Sequence, residues 1–152
     1  MAILQTAPTM REITRSALIA QTPAEVYALV ADVPSYPQFV PGCSAAAIVE
    51  RNEDSLLARL QVHKGPLSTH FTTRNRNTPN ERIHMELVEG PMSSLQGVWT
   101  FTPVGENGCR IELKLQYEFA NAFKAAIFEP LIDGIAGSMV EAFVARAQQR
   151  RG

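Results

Sequence analysis

Five turn signals cut the middle of the chain into segments too short for long helices. They fall at Asn52-Glu53-Asp54, Gly65-Pro66, Thr78-Pro79-Asn80, Gly90-Pro91 and Glu106-Asn107-Gly108. Between them apolar and polar residues alternate, as in a strand with one face buried and one in water. Short polar turns join antiparallel neighbours, so the pattern predicts a six-strand meander. The last segment alternates most cleanly, with Ile111, Leu113, Leu115, Tyr117 and Phe119 set against Arg110, Glu112, Lys114, Gln116 and Glu118. A one-residue slip there would bury four charges, which fixes its register.

The other meander strands have readable inner faces. Leu56, Ala58, Leu60 and Val62 share one, as do Leu67, Thr69, Phe71 and Thr73, then Ile83, Met85 and Leu87, then Leu95, Gly97, Trp99 and Phe101. Ser68, His70, Thr72 and Arg74 are expected on the opposite face. A strand over 44–51 opens the meander, and one over 11–20 precedes it, with Ile13, Arg15, Ala17 and Ile19 on one side.

Helical signals appear twice. Thr22-Pro23-Ala24-Glu25 combines a capping residue, a proline where no N–H is needed and a capping-box glutamate. Val26, Tyr27, Leu29 and Val30 supply the apolar stripe. The prolines at 34, 37 and 41 then permit only a short turn. Tyr36 and Phe39 make this segment too apolar for a solvated linker, so it is expected to pack down as a rigid bridge at the mouth of an interior space. From Asn121 on the period is helical, and Phe123, Ile127, Leu131, Ile135, Met139 and Phe143 are assigned to one face, flanked by Phe128, Ile132 and Val140. Pro130 is expected to kink or restart this helix, and Gly134 and Gly137 to soften its middle. One curved sheet covered by one bent helix tends to leave an apolar space between them, with the helix as its lid; the plainer alternative is a helix bent to fit the sheet and a space packed shut.

At 152 residues the chain is expected to form one domain over 10–152, preceded by a flexible extension at 1–9 that has neither the charged start of a signal peptide nor the Arg/Ser richness of a transit peptide. A net charge of −1 gives no ground for DNA as a partner. Cys43 and Cys109 stand apart in no metal-binding or redox pattern and read as reduced thiols. No apolar run approaches the ~18 residues of a membrane span, and the protein is expected in the cytoplasm, peripheral at most to the inner membrane.

Motifs for catalysis are missing. Nucleotide-binding glycine loops, HExxH and GxSxG do not occur. His63, His70 and His84 fall on three strands; His70 and His84 could meet across a hairpin, but no further ligands complete a metal set. Glu86, Glu89, Glu112 and Glu118 occupy polar-face or turn positions, so no acid/base pair can be assembled. Thr72-Thr73-Arg74-Asn75-Arg76, with His63 and Lys64 alongside and Arg146, Arg150 and Arg151 at the end, offers a basic strip suited to phosphate. The plainer alternative is a solvated sheet face and a helix end whose cations suit its dipole.

Four stretches carry a resemblance: residues 30–43, read Val30-Ala31-Asp32-Val33-Pro34-Ser35-Tyr36-Pro37-Gln38-Phe39-Val40-Pro41-Gly42-Cys43; then Phe71-Thr72-Thr73-Arg74-Asn75; Leu87-Val88-Glu89-Gly90-Pro91; and Gly97-Val98-Trp99-Thr100-Phe101-Thr102-Pro103. With the element order, they make the chain similar to the coenzyme Q-binding and ribosome association toxin family of the START-like superfamily. The likeness runs from Met10 to the C-terminus. Gly42, where mitochondrial members usually carry tryptophan, points to the bacterial branch.

The resemblance implies an α+β helix-grip fold, a curved antiparallel sheet of about seven strands around the long C-terminal helix, with two short helices after the first strand. It implies no covalent cofactor and no metal, and a hydrophobic small-molecule ligand, ubiquinone or a related isoprenoid quinone, carried in support of respiration, with transient membrane-surface contact. A typical ligand cavity of about 300–1,000 Å³ is expected. Its walls are assigned to Phe71, Met85, Leu87, Trp99, Phe101, Leu113 and Phe119, closed by Phe128, Leu131, Ile135 and Met139. Tyr36 and Phe39 would gate it, and Thr73, Arg74 and Asn75 would meet the headgroup. The alternative implied by the family is a toxin that binds the large ribosomal subunit and blocks subunit association; a third is a cyclase or dehydratase.

Overall fold

The computed structural model describes residues 10–151 and the side chains of 10–149. The extension assigned to 1–9 and the side chains of Arg150 and Arg151 lie outside the described residues. The order is β1 (Arg11–Ile19), α1 (Pro23–Ala31), a 3-10 turn (Val33–Gln38), β2 (Cys43–Arg51), β3 (Leu56–Lys64), β4 (Leu67–Thr78), β5 (Arg82–Glu89), β6 (Ser94–Val104), β7 (Gly108–Glu118) and α2 (Ala122–Arg151). The seven strands form one sheet in the order β1-β7-β6-β5-β4-β3-β2, with every neighbouring pair antiparallel. This is the helix-grip arrangement expected.

Local chemistry sets the ends. Thr22 Oγ1 accepts from the Glu25 N–H, and Glu25 reaches back to the Thr22 N–H, completing the capping box. At α2, Asn121 Oδ1 accepts from the Lys124 N–H at 2.9 Å. Proline at 130 does not restart this helix, which runs unbroken from Ala122 to Arg151.

One sequence expectation needs correction. Phe123 and Ile127 are 74% and 38% exposed, whereas Leu131, Val140, Phe143 and Ala147 are buried. A step of four residues overshoots a turn of about 3.6, so such a ladder drifts around the helix; it starts in water at Phe123 and Ile127 and enters the core from Leu131. Thr72 keeps the expected face, paired with the exposed Arg59, although its own side chain is buried. A register shift between Thr72 and Thr73 interrupts the pairing of β4 with β5, and the extra residue is Val88 on β5, while β4 keeps its alternation against β3.

Two apolar clusters fill the space between sheet and helix. The larger joins α1, the 3-10 turn and the C-terminal half of α2 to β3, β6 and β7 through Val26, Tyr36, Trp99, Leu113 and Phe143. The smaller packs Tyr117 and Phe119 with Met92, Leu95, Ala125 and Ile132. Phe71, Met85 and Phe128 touch both.

Candidate functional site

Between the clusters lies a cavity of about 70 Å³. Its sheet wall is Ala58, Leu60, Phe71, Thr73, Asn75, Met85, Leu95, Trp99, Leu113 and Leu115; its helix wall is Ile132, Ile135, Ala136 and Met139. Val33 and Tyr36 close one side from the 3-10 turn. The space is well below the expected ligand-cavity size. Met85 and Met139 border it, and unbranched thioether chains fill irregular gaps and change rotamer readily.

Nine of the assigned residues line this cavity: Tyr36, Phe71, Thr73, Asn75, Met85, Trp99, Leu113, Ile135 and Met139. The others do not. Phe101 is buried beside Tyr27, with ring centroids 5.6 Å apart. Leu131 belongs to the larger cluster, while Phe119 stacks on Phe128 in the smaller one, which Leu87 borders. Phe39 packs on Phe143 at 5.4 Å and under the Arg146 guanidinium at 5.0 Å, so it braces the bridge. Arg74 turns away from the cavity, and its Nη1 donates to Ser55 Oγ at 3.4 Å. Sequence reasoning missed Val33, Ala58, Leu60, Leu95, Leu115, Ile132 and Ala136 as lining, although the alternation already placed Ala58, Leu60, Leu95 and Leu115 on the inner face.

Polar atoms are few inside. Thr73 Oγ1 donates to Asn75 Oδ1 at 2.7 Å, and both side chains are buried. Residues 73, 75 and 77 point inward along β4, and Asn77 Oδ1 is buried without a hydrogen-bond partner. A second, much smaller space of about 10 Å³ lies beside Asn77 and shares Val33, Tyr36, Asn75, Met85 and Trp99 with the first. Tyr36 donates its hydroxyl to the Val30 carbonyl oxygen; burial drives its pKa well above the ordinary tyrosine range.

Two glycines shape the walls. Gly42 has a positive φ of 82°, and a Cβ there would strike Ile135 Cδ1, so the bridge touches the helix wall through bare backbone. At Gly97 a Cβ would lie 2.7 Å from Met85 Cε and 2.8 Å from Leu115 Cδ1. The missing side chain lets Met85 lie across the sheet.

The basic strip does not assemble as written. Thr73 and Asn75 face inward while Arg74 and Arg76 face out. Arg74 pairs with Leu57 whereas Leu67 pairs with Lys64, a separation along β3 of about seven residues or ~23 Å. His84 sits opposite Arg76, and His70 opposite Gln61, so the two histidines do not meet. Among the described residues no three His, Cys, Asp or Glu side chains converge as a metal site, and no helix is long and apolar enough to cross a membrane.

Residues 19–144 match the protein-family model described as polyketide cyclase / dehydrase and lipid transport. The Vibrio cholerae protein named ribosome association toxin RatA is 39% identical over 143 residues, covering 94% of this chain and 99% of that one. The Drosophila melanogaster protein named coenzyme Q-binding protein COQ10, mitochondrial, is 25% identical over 143 residues, covering 91% of this chain and 59% of its own length. The crystal structure of the ZhuI aromatase/cyclase from a Streptomyces species superposes with a TM-score of 0.85 at 18% identity, covering 94% of this chain and 96% of that one. At that identity the likeness concerns the fold alone.

Proposed function

Since the chain belongs to the polyketide cyclase / dehydrase and lipid transport family, we propose that it is a non-catalytic carrier that holds an isoprenoid quinone, ubiquinone or a close relative, in the cavity between sheet and α2. The observation that carries this is the lining. Twelve of its sixteen residues have hydrocarbon or thioether side chains, and Tyr36, Thr73, Asn75 and the indole N–H of Trp99 bring the polar atoms. Apolar walls with a few convergent polar groups are what an amphipathic small molecule requires.

Each isoprenoid methylene removed from water contributes about 0.8 kcal/mol, so partial uptake of the tail is enough for binding. Asn75 is placed to hydrogen-bond a headgroup oxygen once Met85 and Met139 swing aside and α2 gives way. Tyr36 is the one ionisable residue of the lining. Its hydroxyl is committed to Val30 and held protonated, which supports a binding role over a cyclase or dehydratase. Organic extraction of the purified protein followed by mass spectrometry should yield co-purified quinone. No lipid in the extract, with no binding on titration, would overturn the carrier reading.

A second reading is favoured by the name of the Vibrio relative: control of translation by docking on the large ribosomal subunit. It would use the outer sheet face, where Arg76 and His84 are exposed neighbours, and it is compatible with a guest inside. Purified protein added to separated subunits should lower the yield of joined ribosomes on a sucrose gradient; an unchanged ratio removes this reading.

A further inference from the structure

The ion pairs among the described residues converge on one point, where β1 meets α2. Arg11, at the start of β1, reaches two carboxylates on the helix. Its Nη2 lies 2.5 Å from Asp133 Oδ2, and its Nε is 3.6 Å from Glu129 Oε2. Tyr117 of β7 donates its hydroxyl to the other Asp133 oxygen. One cation therefore bridges residues 129 and 133, a turn apart, and a second strand holds the same carboxylate.

The segment they grip carries the proline and the two glycines of the helix. Pro130 has no N–H for the carbonyl one turn earlier, and Gly134 and Gly137 add backbone freedom. Arg11 ties Glu129 to Asp133 just C-terminal to that missing bond, with Pro130 between them in the chain. Ile132, Ile135 and Ala136, on either side of Asp133, form most of the cavity's helix wall. Any outward swing of that wall must first part Asp133 from Arg11 and Tyr117.

We propose that Arg11, Glu129, Asp133 and Tyr117 form a catch that holds the 130–137 stretch of α2 against the sheet and sets how often the cavity opens. The assignment rests on the carrier reading for its purpose, but the opening itself can be observed without any ligand. Through Arg11 and Tyr117 the catch joins α2 to β1 and β7. None of its members lines the cavity. They act on a guest only by positioning the wall.

The test is hydrogen exchange of the intact chain read by mass spectrometry, together with stopped-flow uptake of decyl-ubiquinone. Arg11→Gln, at the exposed end of the cluster, and Asp133→Asn should each raise exchange of amides 131–137 at least tenfold, leaving β6 and β7 amides at wild-type rates. Decyl-ubiquinone uptake should accelerate by a similar factor, with Arg11→Lys restoring much of the wild-type behaviour. Exchange at 131–137 that stays at the wild-type rate, or rises equally across the whole chain, overturns the catch. Localised faster exchange with no decyl-ubiquinone bound by any variant keeps the catch and contradicts the carrier reading instead.

Discussion

The two faces of β4 and β5 differ as sharply as any two regions of the molecule. Inward, Thr73, Asn75 and Met85 meet Trp99 and the helix wall around a small space. Outward, Arg76 and His84 face water, and Arg74 reaches only Ser55. Strand geometry alone separates these environments, because adjacent residues point to opposite sides. A five-residue run that reads as one polar cluster is therefore split between two surfaces, one lining the interior and the other facing water.

Substitutions on the inner face should cost far more than those outside. Trp99→Ala, at a residue 2% exposed and in edge contact with Phe143, should lower unfolding free energy by about 3–5 kcal/mol in urea titration. An effect under ~1 kcal/mol would mean the interior is not packed as described.

Alkaline pH probes the same side. Tyr36 and Tyr117 both have pKa values raised above the ordinary 10, each chiefly by burial. Their contribution is complete below the unfolded value and is lost as pH climbs towards the folded one, because the unfolded chain releases protons that the folded chain keeps. Above about pH 10, stability should fall by up to ~1.4 kcal/mol per pH unit for each tyrosine. In Tyr36→Phe the slope should be halved.

Smaller still is the polar pair. Asn75→Ala strips the Thr73 hydroxyl of its acceptor and should cost about 1–3 kcal/mol, with weaker quinone binding on titration. Thr73→Val in the same background should recover part of the stability, since no donor is then left unpaired. At the bottom of the scale, Arg76→Ala on the outer face should change stability by no more than about 0.5 kcal/mol. If ribosome docking uses this face, that variant should lose docking in the gradient assay while keeping its fold.

The contrast also marks what was legible in the residues. Strict alternation in 110–119 and 56–62 identified the inner faces because a sheet has only two sides. The Thr22-Pro23-Glu25 cap was readable because its chemistry is local. Phe123 and Ile127 were misassigned because a helix face rotates with distance. That Thr72 is buried while lying on the outer face was not legible, because alternation gives the face and not the burial. Cavity size escaped for a similar reason. Whether Met85 and Met139 fill or vacate the space between two elements is a matter of packing, and no period encodes it. The Arg11–Asp133 contact joins residues 122 positions apart, with no local signal at either end.

Trp99 supplies the most direct measurement, being the chain's one tryptophan and part of the cavity wall. Decyl-ubiquinone titrated into the folded protein should quench its fluorescence saturably, reaching a plateau at one equivalent, and Met139→Trp in a Trp99→Phe background should report the same plateau from the helix side. Linear, unsaturable quenching, equal to that of free tryptophan in solution, would contradict an interior that admits a quinone.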